Sequence, residues 1–176
     1  MSDESSNALA LPDNHSLEVP AFGKSPAMVL DMGSIRGAER RIIEAKDVNP
    51  STYIDLEHAY NEAYRTLKRH VSTIGYQLAL ANKALEEARA DILLGSYADY
   101  MQGKPRYQDN ANIREAFITK DPTYTAAYER VAQLKALESN FEGKIKVFEN
   151  VSRYMKKKMD LIIRAGVDSN VYPSRR

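Results

Sequence analysis

From residue 51 onward the apolar side chains recur on alternating steps of four and three. Tyr60, Tyr64, Leu67, Val71, Ile74, Leu78, Ala81, Leu85, Ala88 and Ile92 form one such run. A 3.5-residue repeat keeps a single seam turned toward a partner helix. Asn49-Pro50-Ser51-Thr52 supplies the start, with proline tolerated in the first turn and a side-chain oxygen for an orphan N–H. The spacing predicts a helix from about Thr52 to Ala98, on the order of 70 Å long at 1.5 Å per residue. A second start, Asp121-Pro122-Thr123, precedes Ala127, Val131, Leu134, Glu138, Phe141, Ile145, Phe148, Ser152, Met155, Met159 and Ile162 on the same steps. Glu138 and Ser152 are its polar members; Leu137 and Val151, one residue earlier, widen the stripe. Gly166 predicts the stop. Neither stripe is stable uncovered, so the chain reads as all-α, a long antiparallel, coiled-coil-like helical hairpin. The same pattern also serves pairing between chains, which makes Leu67, Val71, Ile74, Leu78, Phe141, Ile145 and Phe148 the candidate oligomerisation residues.

The connector, 97–121, holds a turn at Gly103-Lys104-Pro105-Arg106 and a short helix running to Lys120, capped by Asp109 or Asn110, with Ile113, Ala116 and Phe117 on one side. Residues 1–50 differ from the rest. They carry Pro12, Pro20, Pro26 and Pro50, mix polar and apolar residues without a sustained period, and hold 8 acids against 5 bases. The expectation is a flexible acidic N-terminal arm of net charge −3 on a body of +4. One helix is expected within it, from Ser34 to Ala45, since Ile35, Ala38, Ile42 and Ala45 share a face; docking of that face on the body or on a partner and an unattached linker are the two readings. Three regions result: the arm at 1–50, a helical hairpin at 51–166 for DNA binding and oligomerisation, and a C-terminal tail at 167–176.

Composition narrows the chemistry. With 25 Lys+Arg against 24 Asp+Glu, global charge steers no particular partner. No cysteine is present, which removes disulfides, thiolate nucleophiles and Cys-ligated zinc and suits a reducing compartment. No apolar run reaches the roughly 18 residues of a membrane span, and the acidic, Ser-rich start is unlike a secretory signal, so a cytoplasmic protein without membrane attachment is expected. Walker-type and dinucleotide-binding glycine motifs are missing. Asp55-x-x-His58 has the spacing of half a di-metal bundle site but no second copy. Asp13 with Glu44-Ala45-Lys46 imitates a nuclease signature outside the hairpin context such chemistry needs, and Glu86, Glu87 and Asp91 read as a solvated acidic face. The expectation is a non-enzyme that needs no cofactor and no metal.

What remains is binding. Cations gather at Arg65, Lys68 and Arg69; at Lys104, Arg106, Arg114 and Lys120, interleaved with Tyr97, Tyr100, Tyr107 and Phe117; and at Arg153, Lys156, Lys157, Lys158 and Arg164. In a hairpin the first and third clusters share one end and the connector occupies the other. Cations with neighbouring aromatics suit single-stranded nucleic acid, where phosphates meet charge and bases stack. The candidate DNA-binding residues are Lys104, Arg106, Tyr107, Arg114, Lys120, Lys156, Lys157 and Lys158.

The order long helix, Ala98-Asp99-Tyr100-Met101-Gln102-Gly103-Lys104 turn, short polar step and second long helix resembles the T4-type UvsY recombination mediators of bacteriophages, over about residues 55 to 165. The resemblance implies binding to single-stranded DNA, remodelling of the single-strand-binding protein that covers it, loading of a RecA-like recombinase, and a homo-oligomeric ring in the host cell cytoplasm. In that family the DNA-contacting cations precede the Tyr–Gly turn, near Gly95 and Tyr97 here; neither is cationic, which moves the role to Lys104, Arg106 and Arg114. A structural coiled-coil scaffold and an adaptor that engages only proteins are the alternatives.

Overall fold

The computed structural model describes residues 15–171, without the side chains of Tyr107 and of 167–171. The first 14 residues, which include Asp3, Glu4 and Asp13 of the expected acidic arm, lie outside the described residues. Two short strands come first: β1 (Ser16–Val19) pairs antiparallel with β2 (Met28–Asp31), Leu17 opposite Leu30. Helix α1 (Gly33–Arg40) and a 3-10 turn at Ile43–Asp47 follow. Then come α2 (Pro50–Leu94), α3 (Ser96–Met101), α4 (Ala111–Thr119) and α5 (Pro122–Val171).

The two long helices begin where the sequence signals. Asn49 Oδ1 accepts from the backbone N–H of Ser51 and Thr52 at 3.0 and 3.2 Å, while Thr52 Oγ1 accepts from Asn49 N–H at 3.2 Å. This reciprocal box satisfies donors that the first turn leaves open. Asp121 Oδ1 takes Thr123 N–H at 2.8 Å in the same way. At its far end α5 runs through Gly166 to Val171, past the expected stop. A glycine ends a helix when the chain turns left-handed there, and among the described residues positive φ is confined to Gly23 and Gly103.

The stripes meet each other within the chain. Tyr60 packs on Phe148 with ring centroids 5.8 Å apart, and His70 on Phe141 at 5.9 Å. Every member of both 4-3 runs is buried or half-buried. Large side chains such as Leu67, Ile74, Leu134 and Phe148 each contribute roughly 1.5–3 kcal/mol of burial. This corrects the oligomerisation assignment. Leu67, Ile74, Phe141, Ile145 and Phe148 are buried, and Val71 and Leu78 half-buried against them, by the opposite helix of the same chain. Their seam is filled by the chain's own helices, and only Val71 and Leu78 keep part of their surface exposed.

Residues 16–48 also depart from expectation. They form a layer on the hairpin: Val19, Leu30, Met32, Ile35, Ala38, Ala45 and Val48 are buried in the same core as the seam. The face expected of the Ser34–Ala45 helix is the one that docks, although the helix stops at Arg40 and a 3-10 turn carries Ala45. Polar contacts fix the layer. Tyr60 OH donates to the Arg41 carbonyl at 2.7 Å and His70 Nε2 to the Asp31 carbonyl at 2.7 Å. From α5, Arg130 donates to the Pro20 carbonyl at 2.8 Å, Lys144 pairs with Glu39, and Lys158 donates to the Lys46 carbonyl. Arg130, Leu137, Lys144, Val151 and Lys158 stand seven residues apart, a stripe beside the seam on which the layer lies over about 42 Å at 1.5 Å per residue.

Among the described residues no helix is long and apolar enough to cross a membrane, and no group of three or more His, Asp or Glu is placed to hold a metal ion.

Candidate nucleic-acid interface

The fold puts the expected cations at two ends of a rod, and treats the two ends differently. At the connector end, α2 breaks at Gly95, α3 adds less than two turns, and Gly103, at φ +76°, makes the turn back. Asn110 caps α4 by accepting Ile113 N–H at 3.0 Å. Tyr97, buried, donates its hydroxyl to Asp109 Oδ1 at 2.8 Å, and Arg114 grips the same carboxylate with Nε at 2.6 Å and a terminal nitrogen at 2.8 Å. The Arg114 fork and the Tyr97 hydroxyl hold the Asp109 carboxyl at about 2, well below its ordinary value. Arg114 is pushed up in turn by the same carboxylate. Burial, then the Asp109 contact, raises the Tyr97 phenol.

Around this clamp Tyr97, Tyr100 and Phe117 pack with centroids 5.2 to 6.2 Å apart. Lys104 Nζ sits over the Tyr100 ring, 2.9 Å from its centroid. Arg89 of α2 pairs with Glu115 of α4 at 2.8 Å. The connector is therefore a folded cap in which two of its four cations, Lys104 and Arg114, are engaged internally. Arg114 clamps Asp109 while its side chain stays exposed, and Lys104 is laid on an aromatic face. Arg106 and Lys120 remain exposed without a carboxylate partner among the described residues. The side chain of Tyr107 lies outside the described residues.

Farther along the stem, the start of the third cluster meets the face of α2 that precedes the first cluster. A groove of about 370 Å³ opens between α2 and α5, lined by Tyr60, Asn61, Tyr64, Phe148, Glu149, Ser152, Arg153 and Lys156. Its cations continue along both helices by helical spacing: Arg65 and Lys68 lie one turn beyond Asn61 and Tyr64, and Lys157 one turn beyond Arg153. Lys68 Nζ lies 5.4 Å from the centroid of the Tyr64 ring. The N-terminal layer takes a different flank of α2, through Thr66 and His70, and leaves this one open. Among the described residues Arg65, Lys68, Arg69, Arg153 and Lys157 are exposed and have no carboxylate partner. Lys156 contacts Glu57 at 3.4 Å, and Lys158 faces the N-terminal layer instead.

Of the eight expected DNA contacts, then, the groove holds Lys156, and Lys157 lies one turn from Arg153; Lys158 and Arg114 have structural partners. Arg65, Lys68, Arg69 and Arg153 belong to the basic clusters of the sequence but are not among those eight. With Tyr60 opposite Phe148, the antiparallel register lays residues 149–157 beside about 51–59, so Arg153 and Lys156 reach the groove while Arg65, Lys68 and Arg69 lie farther toward the connector.

No family model, curated protein or solved structure matches the chain.

Proposed function

We propose that this protein is a single-stranded DNA-binding recombination mediator that holds the strand along the open flank of its stem. The observation that carries the DNA reading is an aromatic-walled groove lined by Arg153 and Lys156, with Arg65 and Lys68 extending the exposed cations along the stem on one side and Lys157 on the other, in a chain of formal charge +1. Exposed cations with few carboxylate partners are what phosphates require, and Tyr64 supplies a face for stacking. The resemblance to the UvsY mediators adds the rest of the reading: loading of a RecA-like recombinase onto DNA covered by single-strand-binding protein, by a cytoplasmic homo-oligomer.

Self-association runs over surfaces outside the seam. Val147, Tyr154 and Leu161 are exposed apolar side chains seven residues apart on α5 and support a second, outward stripe. Weak contacts repeated around an oligomer combine on one strand through effective concentration. That outward stripe also favours the alternative, a structural scaffold or protein-only adaptor. Titration of a labelled oligonucleotide at several salt concentrations, with solution mass measured alongside, separates the two. A mediator binds with log affinity falling steeply against log salt; a scaffold associates with itself and ignores the oligonucleotide.

A further inference from the structure

We infer that the stem groove is a nucleotide pocket, which takes one base of the strand out of its stack and holds the adjoining phosphate at the rim. The inference rests on the DNA reading and deepens it by assigning a pocket and a class of base. Its first support is the origin of the groove. Residue 152 occupies a seam position that Phe141, Ile145, Phe148, Met155 and Met159 fill with large apolar groups, and it is serine. A seam optimised for packing alone would carry a leucine there and close the gap, since an unfilled apolar space forfeits contacts. The opening of about 370 Å³ falls within the range of small-ligand pockets.

The lining supplies the second support. Tyr64 is half-buried beside a floor made by Tyr60 and Phe148, which fixes its ring as a wall. The Asn61 amide and the Ser152 hydroxyl line the groove, and among the described residues neither side chain has a hydrogen-bond partner. Glu149 lines it too and has no cationic partner among the described residues. Arg153 and Lys156 stand at the rim, where a phosphate would sit. A carboxylate inside a phosphate-binding groove is unfavourable unless it accepts hydrogen bonds, and ionised Glu149 accepts only. Exocyclic amino groups of cytosine, adenine or guanine meet that need; thymine offers only its ring N3–H, flanked by two carbonyl oxygens that repel the carboxylate.

The test uses a 12-nucleotide oligo-dC with one 2-aminopurine, bound to the full chain at low salt, beside free dCMP. In the unaltered protein the 2-aminopurine fluorescence is expected to be quenched by stacking, and oligo-dC to bind more tightly than oligo-dT. Ser152→Leu fills the seam, so it should melt higher, abolish the quench and weaken oligo-dC about tenfold, the loss of one stacked base. Ser152→Ala, which keeps the opening, should retain the quench. If the oligonucleotide binds but is neither quenched nor affected by Ser152→Leu, the pocket is wrong while the DNA reading stands. If dCMP binds, loses affinity with Ser152→Leu, and no oligonucleotide binds, the pocket holds for free nucleotides and the DNA reading falls. If neither ligand binds, both fall.

Discussion

Gly75 of α2 faces Glu138 of α5 across the seam, placed so that a Cβ on residue 75 would lie 3.5 Å from Glu138 Oε1. That is ordinary van der Waals contact, and Gly75 has no positive φ to preserve. Glycine in a helix interior costs about 0.5–1 kcal/mol relative to alanine. Gly75→Ala is therefore expected to stabilise the protein by about 0.4–1 kcal/mol, seen as a higher midpoint in urea with the slope unchanged. A loss of stability would mean that Glu138 needs the open space the glycine leaves.

The N-terminal layer invites a sharper test, because an attached layer and a loose arm differ in what one methyl-rich side chain is worth. Ile35 is fully buried between α1 and the hairpin. Ile35→Ala should cost about 2–5 kcal/mol. Lys144→Ala removes a partly exposed ion pair with Glu39 and should cost no more than about 1 kcal/mol. Equal, small effects from both substitutions would return residues 16–48 to the status of an arm.

Why the layer was hidden in the sequence, while the hairpin was plain, follows from element length. The seam repeats one period for ten positions, so Tyr60 to Ile92 declares itself. The layer buries Val19, Leu30, Ile35 and Ala45 from a four-residue strand, another, a two-turn helix and a 3-10 turn. No single period survives that mixture, and its Pro, Gly and Ser content reads as linker. Its docking surface did leave a mark: Leu137 and Val151, which widen the α5 stripe, alternate at seven-residue intervals with Arg130, Lys144 and Lys158. The candidate site was legible as clusters but not as partners. Arg114 looks free in sequence because its clamp, Asp109, lies across a helix cap. Ser152 looks like noise in a heptad until Tyr64 is seen beside it.

Asp109 makes the connector sensitive to acid, with a definite sign. Its carboxyl is held at about 2 in the folded protein, below the roughly 3.9 of an unfolded chain. A depressed folded value contributes stability that is complete above about pH 4 and lost as pH falls toward 2. Thermal melts of the protein and of Asp109→Asn, compared from pH 7 to pH 2, should differ by a constant gap down to about pH 4 that then narrows. A gap indifferent to pH would remove the charge from the account of this clamp and leave only its shape.

The two ends of the rod can be set against each other by salt dependence. For single strands the slope of log affinity on log salt is about −0.7 per phosphate neutralised. Replacing Arg65, Lys68 and Arg153 together with alanine removes three exposed cations from the groove and the turn of α2 beside it without touching a buried side chain. The slope should flatten by about 2, with affinity at low salt falling by at least tenfold. Replacing Arg106 and Lys120, the exposed connector cations, should change the slope by much less. Arg114→Ala should act through the connector: it frees Asp109 and Tyr97 from their clamp and lowers the melting temperature, but leaves the slope near its original value. The reverse pattern, a steep loss from the connector pair and none from the groove, would move the strand to the other end of the molecule and leave the groove without a phosphate to hold.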